Sequence, residues 1–155
     1  GSDVPVCFFG QNAWMLGRGH EIYRCEVPAL HAVLVNPGVS VSTRSVFAHL
    51  RKRTGLDSTE RPDGFETAAD LIEFLQTTHN DLEAPALAIA PEIAEVLSVL
   101  RGSDGIRFAR MSGSGATCFG LFQDAAHAQS TAAVIQSDYP NWWTVAAVLA
   151  KSDPD

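Results

Sequence analysis

A chain of 155 residues that is 46% hydrophobic and 19% charged can bury one core without disulfide or metal staples, so one domain with an appendage is expected. Net charge is −7, from 11 basic and 18 acidic side chains, and the only basic run is Arg51-Lys52-Arg53, a balance that argues against a nucleic-acid surface built from clustered Lys and Arg. No stretch approaches the ~18 apolar residues of a membrane span and the start lacks the basic-then-apolar order of a signal peptide, so a cytoplasmic protein without a membrane partner is expected.

Gly1-Ser2, with no initiating methionine and followed at once by Asp3-Val4-Pro5 and an apolar run, reads as the start of a piece taken from something larger. Short strand patterns follow at Val6 to Phe9, Ala13 to Leu16, Ile22 to Cys25 and His31 to Val35. Gly17-Arg18-Gly19 reads as a hairpin turn between the second and third of them, and Asn36-Pro37-Gly38 ends the fourth. Ser42 is placed to cap a helix from about Thr43 to Arg53, with the three basic residues in its last turn.

Asp63 and Glu66 have the spacing of a capping box, and Phe65, Ala68, Ala69, Ile72 and Leu75 recur at helical spacing, which predicts a helix over about Gly64 to Thr78. Asn80 and Glu83 repeat that capping relation, Pro91 opens a helix whose Ile93, Val96, Leu97 and Leu100 fall on one stripe, and Gly102 ends it. Then come a strand at Ile106 to Met111, a glycine loop, a strand at Ala116 to Phe122, a helix from Asp124 to about Ser137, and a strand at Trp142 to Leu149. From His31 onward the order is β-α-β-β-α-β with extra helices after the first strand. The expected class is therefore α+β, a ferredoxin-like split with helices on one face of an antiparallel sheet, preceded by a short antiparallel β segment.

Two glycine-bearing segments carry the chemistry. Gly1-Ser2-Asp3-Val4-Pro5 offers a carboxylate where a loop enters the sheet, and Ser112-Gly113-Ser114-Gly115 offers backbone N–H groups suited to phosphate oxygens; together they point to phosphoryl transfer. Read separately, each has a plainer alternative: a turn residue or frayed end for Asp3, and a hairpin turn for the glycines, which lack the Lys-Ser or Lys-Thr of a P-loop. An Asp of ordinary pKa, about 3.9, is a weak base, so its role would be to orient a hydroxyl and accept the proton late. Thr43 and Phe47 stand four apart and share a helix face, where a hydroxyl and a ring would hold a polar alcohol and stack a planar base. Periodicity alone favours Phe47 in the core with Val46 and Leu50. The five histidines have no metal-ligand spacing. Cys7, Cys25 and Cys118 sit singly in apolar runs, as buried hydrophobes do in a reducing compartment, so neither a disulfide framework nor a zinc site is expected.

In this order, Gly1-Ser2-Asp3-Val4-Pro5, Gly17-Arg18-Gly19-His20-Glu21, Asn36-Pro37-Gly38-Val39-Ser40-Val41-Ser42-Thr43, Asn80-Asp81-Leu82-Glu83 and Ser112-Gly113-Ser114-Gly115-Ala116-Thr117-Cys118-Phe119 resemble a GHMP kinase. The last motif is shared across that superfamily. Gly-Ser-Asp-Val-Pro with Pro-Gly-Val-Ser resembles the branch that acts on 4-diphosphocytidyl-2-C-methyl-D-erythritol in non-mevalonate isoprenoid biosynthesis. The resemblance implies ATP and Mg2+ as cofactors and phosphorylation of the 2-hydroxyl of that substrate. It implies that Asp3 is the catalytic aspartate, that Arg18 approaches the substrate, that Thr43 contacts the methylerythritol part and that Phe47 stacks on cytosine. Gly113, Ser114 and Gly115 match the third motif of the superfamily, which lies against the nucleotide's phosphate loop.

The family's amino-terminal portion carries a catalytic lysine and a second glycine-rich loop, Pro-x-x-x-Gly-Leu-Gly-Gly-Gly-Ser-Ser-like, that cradles ATP and helps hold magnesium; this sequence has nothing like it. The resemblance is thus to the carboxy-terminal part of such a kinase, with residues 1–30 a remnant of the amino-terminal domain and residues 31–155 the carboxy-terminal domain. A part of this kind is expected to be inactive alone and to leave an apolar face that recruits a second copy. Two other readings stand beside it: a non-catalytic ferredoxin-like module binding a ligand or partner, and a GHMP kinase for another alcohol such as homoserine or mevalonate.

Overall fold

The computed structural model describes residues 12–17, 19–50 and 61–149. Strands β1 (Ala13–Leu16) and β2 (Glu21–Arg24) form an antiparallel hairpin with Trp14 opposite Tyr23 and Leu16 opposite Glu21. The turn between them closes where Gly19 N–H donates to the Leu16 carbonyl at 2.9 Å. The expected strand at residues 6–9 and the basic run at residues 51–53 lie outside the described residues.

The main sheet has the order β4-β5-β3-β6, all antiparallel, with β3 at Leu30–Asn36, β4 at Ile106–Met111, β5 at Cys118–Phe122 and β6 at Trp143–Leu149. The first strand of the unit lies between its third and fourth, which is the ferredoxin-like split that the sequence predicts. Alternation along the strands sorts the core into two layers. Val33, Val35, Met111, Cys118 and Phe122 face one side, and Leu30, Ala32, Phe108, Phe119 and Leu121 face the other.

On the first face lie α4 (Glu92–Arg101) and α5 (Ala125–Asp138). Ile93, Val96, Leu97 and Leu100 of α4 are all buried, as their spacing predicts, and each contributes on the order of 1.5–3 kcal/mol by leaving water. Asp124 caps α5: its carboxylate accepts from His127 N–H at 3.0 Å and bonds the His127 ring Nδ1 at 2.8 Å. Residue Gly102 ends α4 as expected, but in right-handed geometry, with φ −86°, so its glycine freedom is unused there.

The opposite face is covered too, which corrects the expectation of helices on one side. There α2 (Ala68–Thr77) sets Leu71, Ile72 and Leu75 against Leu30, Ala32, Phe108, Phe119 and Leu121. This helix begins four residues later than its predicted start. Asp63 and Gly64 are taken up instead by a parallel bridge to Glu26, where Glu26 N–H donates to the Asp63 carbonyl and Phe65 N–H to the Glu26 carbonyl. The capping box forms at Thr67 and Asp70 rather than at Asp63 and Glu66. As a result Leu71 is buried and Ala69 is exposed.

The first helix among the described residues, α1 (Thr43–Ala48), has the predicted Ser42 cap but stops well before Arg53. His49 ends it, with its ring at 2.7 Å from the Ser45 carbonyl and its N–H shared among the last carbonyls. The short α3 (Glu83–Ile89) links α2 to α4. Cys25 and Cys118 are free and buried, and burial pushes the Cys118 thiol up to about 12. Among the described residues no helix is long and apolar enough to cross a membrane, and no three His, Cys, Asp or Glu side chains gather as metal ligands do.

Candidate functional site

The β4–β5 connection holds the glycine loop. Gly113 and Gly115 take φ of +54° and +86°, the left-handed region that the two glycines admit. Two N–H groups are spent inside the loop: Ser112 N–H donates to the Thr117 carbonyl at 2.8 Å and Gly115 N–H to the Ser112 carbonyl at 3.0 Å. Among the described residues, Gly113 N–H and Ser114 N–H donate to no protein group. Unspent, partly exposed amides on a left-handed bend are suited to an anionic oxygen.

Beside the loop stands the amino-terminal end of α1. Thr43 Oγ1 lies 2.9 Å from Ser114 Oγ, so the two hydroxyls join α1 to the loop across 71 positions of sequence. Asn36 tightens the same corner: its Nδ2 donates to Thr117 Oγ1 at 2.9 Å and its Oδ1 accepts from Gly38 N–H at 2.8 Å. One turn along α1, Phe47 is 46% exposed while Val46 beside it is fully buried. The core placement that periodicity favours for Phe47 is therefore wrong; Val46 takes the core and the ring faces water on the side of Thr43.

From the other flank, Asn80 and Glu83 hold the loop. Asn80 Nδ2 donates to the Met111 and Gly113 carbonyls at 3.1 and 2.8 Å, and Glu83 Oε2 accepts from Met111 N–H at 3.2 Å. Arg101 lies 3.5 Å from the other Glu83 oxygen. Arg110 binds Thr78 Oγ1 at 3.0 Å, the Leu75 carbonyl at 2.8 Å and the Thr78 carbonyl, closing the end of α2 against β4. Its burial pulls the guanidinium below its usual range, with Glu83 opposing that shift.

The structure thus brings Thr43, Gly113, Ser114 and Gly115 to one corner, with Phe47 exposed one turn further along α1. Asp3 and Arg18 lie outside the described residues. Sequence reading missed Asn36 and Arg110 as supports of this corner, and read Asn80 and Glu83 as a capping pair within one segment of the resemblance. The Asn80-to-Glu83 spacing signalled a cap, but α3 has no side-chain cap: Glu83 turns its carboxylate to Met111, and Asn80 Oδ1 accepts from the N–H of Leu82, the residue before the helix, at 3.0 Å, an Asx turn that leads into α3. An open hollow of about 690 Å³ lined by Arg24, Glu26, Asp63, Gly64, Phe65 and Glu66 shares no residue with this corner.

Residues 60–141, more than half of the chain and including the glycine loop, match the family described as "GHMP kinases C terminal". The chain belongs to that GHMP kinase family. Relatives named 4-diphosphocytidyl-2-C-methyl-D-erythritol kinase include one from Bradyrhizobium diazoefficiens, 42% identical across 97% of this chain and 54% of its own length. Another, from Paracoccus denitrificans, is 46% identical across 97% of this chain and 55% of its own length. This GHMP chain therefore spans about half the length of the curated relatives it matches.

Among solved structures, a 4-(cytidine 5'-diphospho)-2C-methyl-D-erythritol kinase aligns with TM-score 0.67 and 28% identity over 94% of this chain and 53% of its own. A homoserine kinase from Cytophaga hutchinsonii aligns with TM-score 0.64 over 94% of this chain and 50% of its own; at 18% identity it speaks for the shared fold alone.

Proposed function

We propose that this chain is the carboxy-terminal part of an ATP-dependent kinase that phosphorylates the 2-hydroxyl of 4-diphosphocytidyl-2-C-methyl-D-erythritol. The observation that carries the reading is the Thr43–Ser114 contact, which joins the helix bearing an exposed Phe47 to a glycine loop with unspent amides. The 42–46% identity to relatives of that name along nearly the whole chain supports the choice of substrate. Residues 1–30 are read as the remnant of an amino-terminal domain and residues 31–155 as the carboxy-terminal one.

In this reading Phe47 stacks on the cytosine, Thr43 holds the methylerythritol part, and Arg18 reaches the substrate from the hairpin. The Gly113 and Ser114 amides fit phosphate oxygens, and Gly115 gives the loop its second left-handed bend. Asp3 orients the 2-hydroxyl and takes its proton late in the transfer, when the oxygen has become acidic. ATP supplies the phosphoryl group when bound. Mg2+ belongs to the same expectation, with ligands outside those named here. A cytoplasmic setting fits the buried free thiols of Cys25 and Cys118.

A second copy of the chain is part of the proposal. Strand β6 pairs with β3 on one side only, among the described residues, and exposes Trp143, Val148 and Leu149. Twofold antiparallel pairing about Ala146 would set each Trp143 opposite Leu149 of the other copy.

The test is ADP release when the chain is supplied with the amino-terminal half of its relatives, joined or in trans. Release that depends on both ATP and the cytidylyl alcohol is expected, and Asp3→Asn should abolish it while the fold persists. An inert pair would favour a non-catalytic module; turnover on homoserine or mevalonate without response to cytidine nucleotides would favour another GHMP substrate.

A further inference from the structure

Asn80 does more at the glycine loop than close the turn before α3. Its Oδ1 is fixed by Leu82 N–H at 3.0 Å, which leaves Nδ2 aimed back at β4. There Nδ2 donates to Gly113 O at 2.8 Å and Met111 O at 3.1 Å, spending both amide hydrogens on the loop. Glu83 grips the N–H of the same Met111, so that residue is held by both of its backbone groups. Met111 is 1% exposed and cannot shift to relax the grip.

A trans peptide unit points its N–H opposite to its C=O. The carbonyl of Met111 faces Asn80, and the Ser112 N–H of the same unit accordingly points inward to Thr117 O. By the same geometry, pinning the Gly113 carbonyl on Asn80 turns the Ser114 N–H away from α3. Among the described residues that N–H has no acceptor, while the Ser114 hydroxyl already bonds Thr43 on the α1 side.

We propose that Asn80 is a positioning residue for anion binding: its carboxamide fixes the Gly113–Ser114 peptide so that the Ser114 amide is presented to a phosphate-bearing ligand. This rests on the phosphate-binding reading of the glycine loop. The turn bond to Leu82 and the positioning bonds to the loop separate by substitution. Asn80→Ser keeps a short acceptor for Leu82 N–H but cannot span to the Gly113 carbonyl, whereas Asn80→Ala loses both.

The test follows the Ser114 amide resonance of the 15N-labelled 155-residue chain during titration with inorganic tripolyphosphate. In the unsubstituted chain the resonance should move saturably. In Asn80→Ser the midpoint should rise at least fivefold while the Leu82 amide stays put and the spectrum remains that of the folded chain, the thermal midpoint falling only by what the lost Met111 and Gly113 bonds cost. If Asn80→Ser titrates like the unsubstituted chain and only Asn80→Ala is impaired, Asn80 acts only through the turn before α3 and the proposal is wrong. If the Ser114 amide of the unsubstituted chain ignores tripolyphosphate, the phosphate reading of the loop fails and takes the proposal with it. A measurement free of substitution is available as well. Because coupling is reciprocal, bound tripolyphosphate should slow solvent exchange of the Asn80 carboxamide protons, and unchanged exchange in a chain that binds would also overturn the proposal.

Discussion

Gly115→Ala and Gly113→Ala make a matched pair, since both glycines are left-handed but only one is crowded. At Gly115 an added Cβ would sit 2.9 Å from Met111 Sδ and 3.2 Å from Ile93 Cδ1. Those neighbours are 1% and 0% exposed, so neither has room to swing aside. Left-handed backbone costs an ordinary residue roughly 1–2 kcal/mol, and overpacking a filled core adds roughly 1–3 kcal/mol. The sum for Gly115→Ala is about 2–5 kcal/mol. At Gly113 a Cβ would meet nothing within 4 Å, which leaves the backbone cost alone, about 1–2 kcal/mol. Urea titrations of both variants at a common slope give the two numbers. If Gly113→Ala proved as damaging as Gly115→Ala, the packing argument for the loop would be refuted.

Truncating Ile93 to Ala beneath the same loop should cost about 2–5 kcal/mol in the same assay, because the side chain is fully buried in the layer between α4 and the sheet. The α5 cap should depend on pH from both ends. Hydrogen bonding to Asp124 raises the His127 pKa, so that contribution is full below about 6.5 and is lost as pH rises through the raised value. The backbone N–H of His127, then its ring, lowers the Asp124 pKa, so that contribution is full above about 3.9 and is lost as pH falls through the lowered value. His127→Ala should therefore cost most stability near pH 5 and least near pH 9; a pH-independent cost would contradict the assignment. The Cys118 thiol, buried with its pKa pushed up to about 12, should resist a thiol reagent in the native state and react on unfolding. Light scattering at tens of micromolar should give a dimer that Trp143→Lys dissociates, and a monomeric unsubstituted chain would remove the β6 pairing.

Local signals were sufficient where one segment settles its own structure. The α4 stripe, the Asp124 cap and the β4 strand follow from spacing within ten or so residues, and the order of elements then leaves the ferredoxin-like split as the natural closure. Reading failed where a distant partner overruled the local pattern. Asp63 and Gly64 look like a helix start, yet Glu26 draws them into a bridge. Phe47 looks like core, yet the six-residue α1 has room for only Val46 inside. Of the candidate site, the glycine motif and the Thr43–Phe47 face were legible because each is short and contiguous. The bonds that assemble them were not, since Asn80 meets Gly113 across 33 positions and Thr43 meets Ser114 across 71.

The central claim is that α1 and the glycine loop are adjoining walls of one kinase site, with Phe47 serving the base. Its most direct measurement is steady-state ADP release by the chain joined to the amino-terminal half of a relative, with and without Phe47→Ala. Base–aromatic stacking is worth about 1–3 kcal/mol, so KM for the cytidylyl alcohol should rise roughly 5- to 150-fold, with KM for ATP unchanged. An unaltered KM for the alcohol, or an equal rise for ATP, would contradict the account.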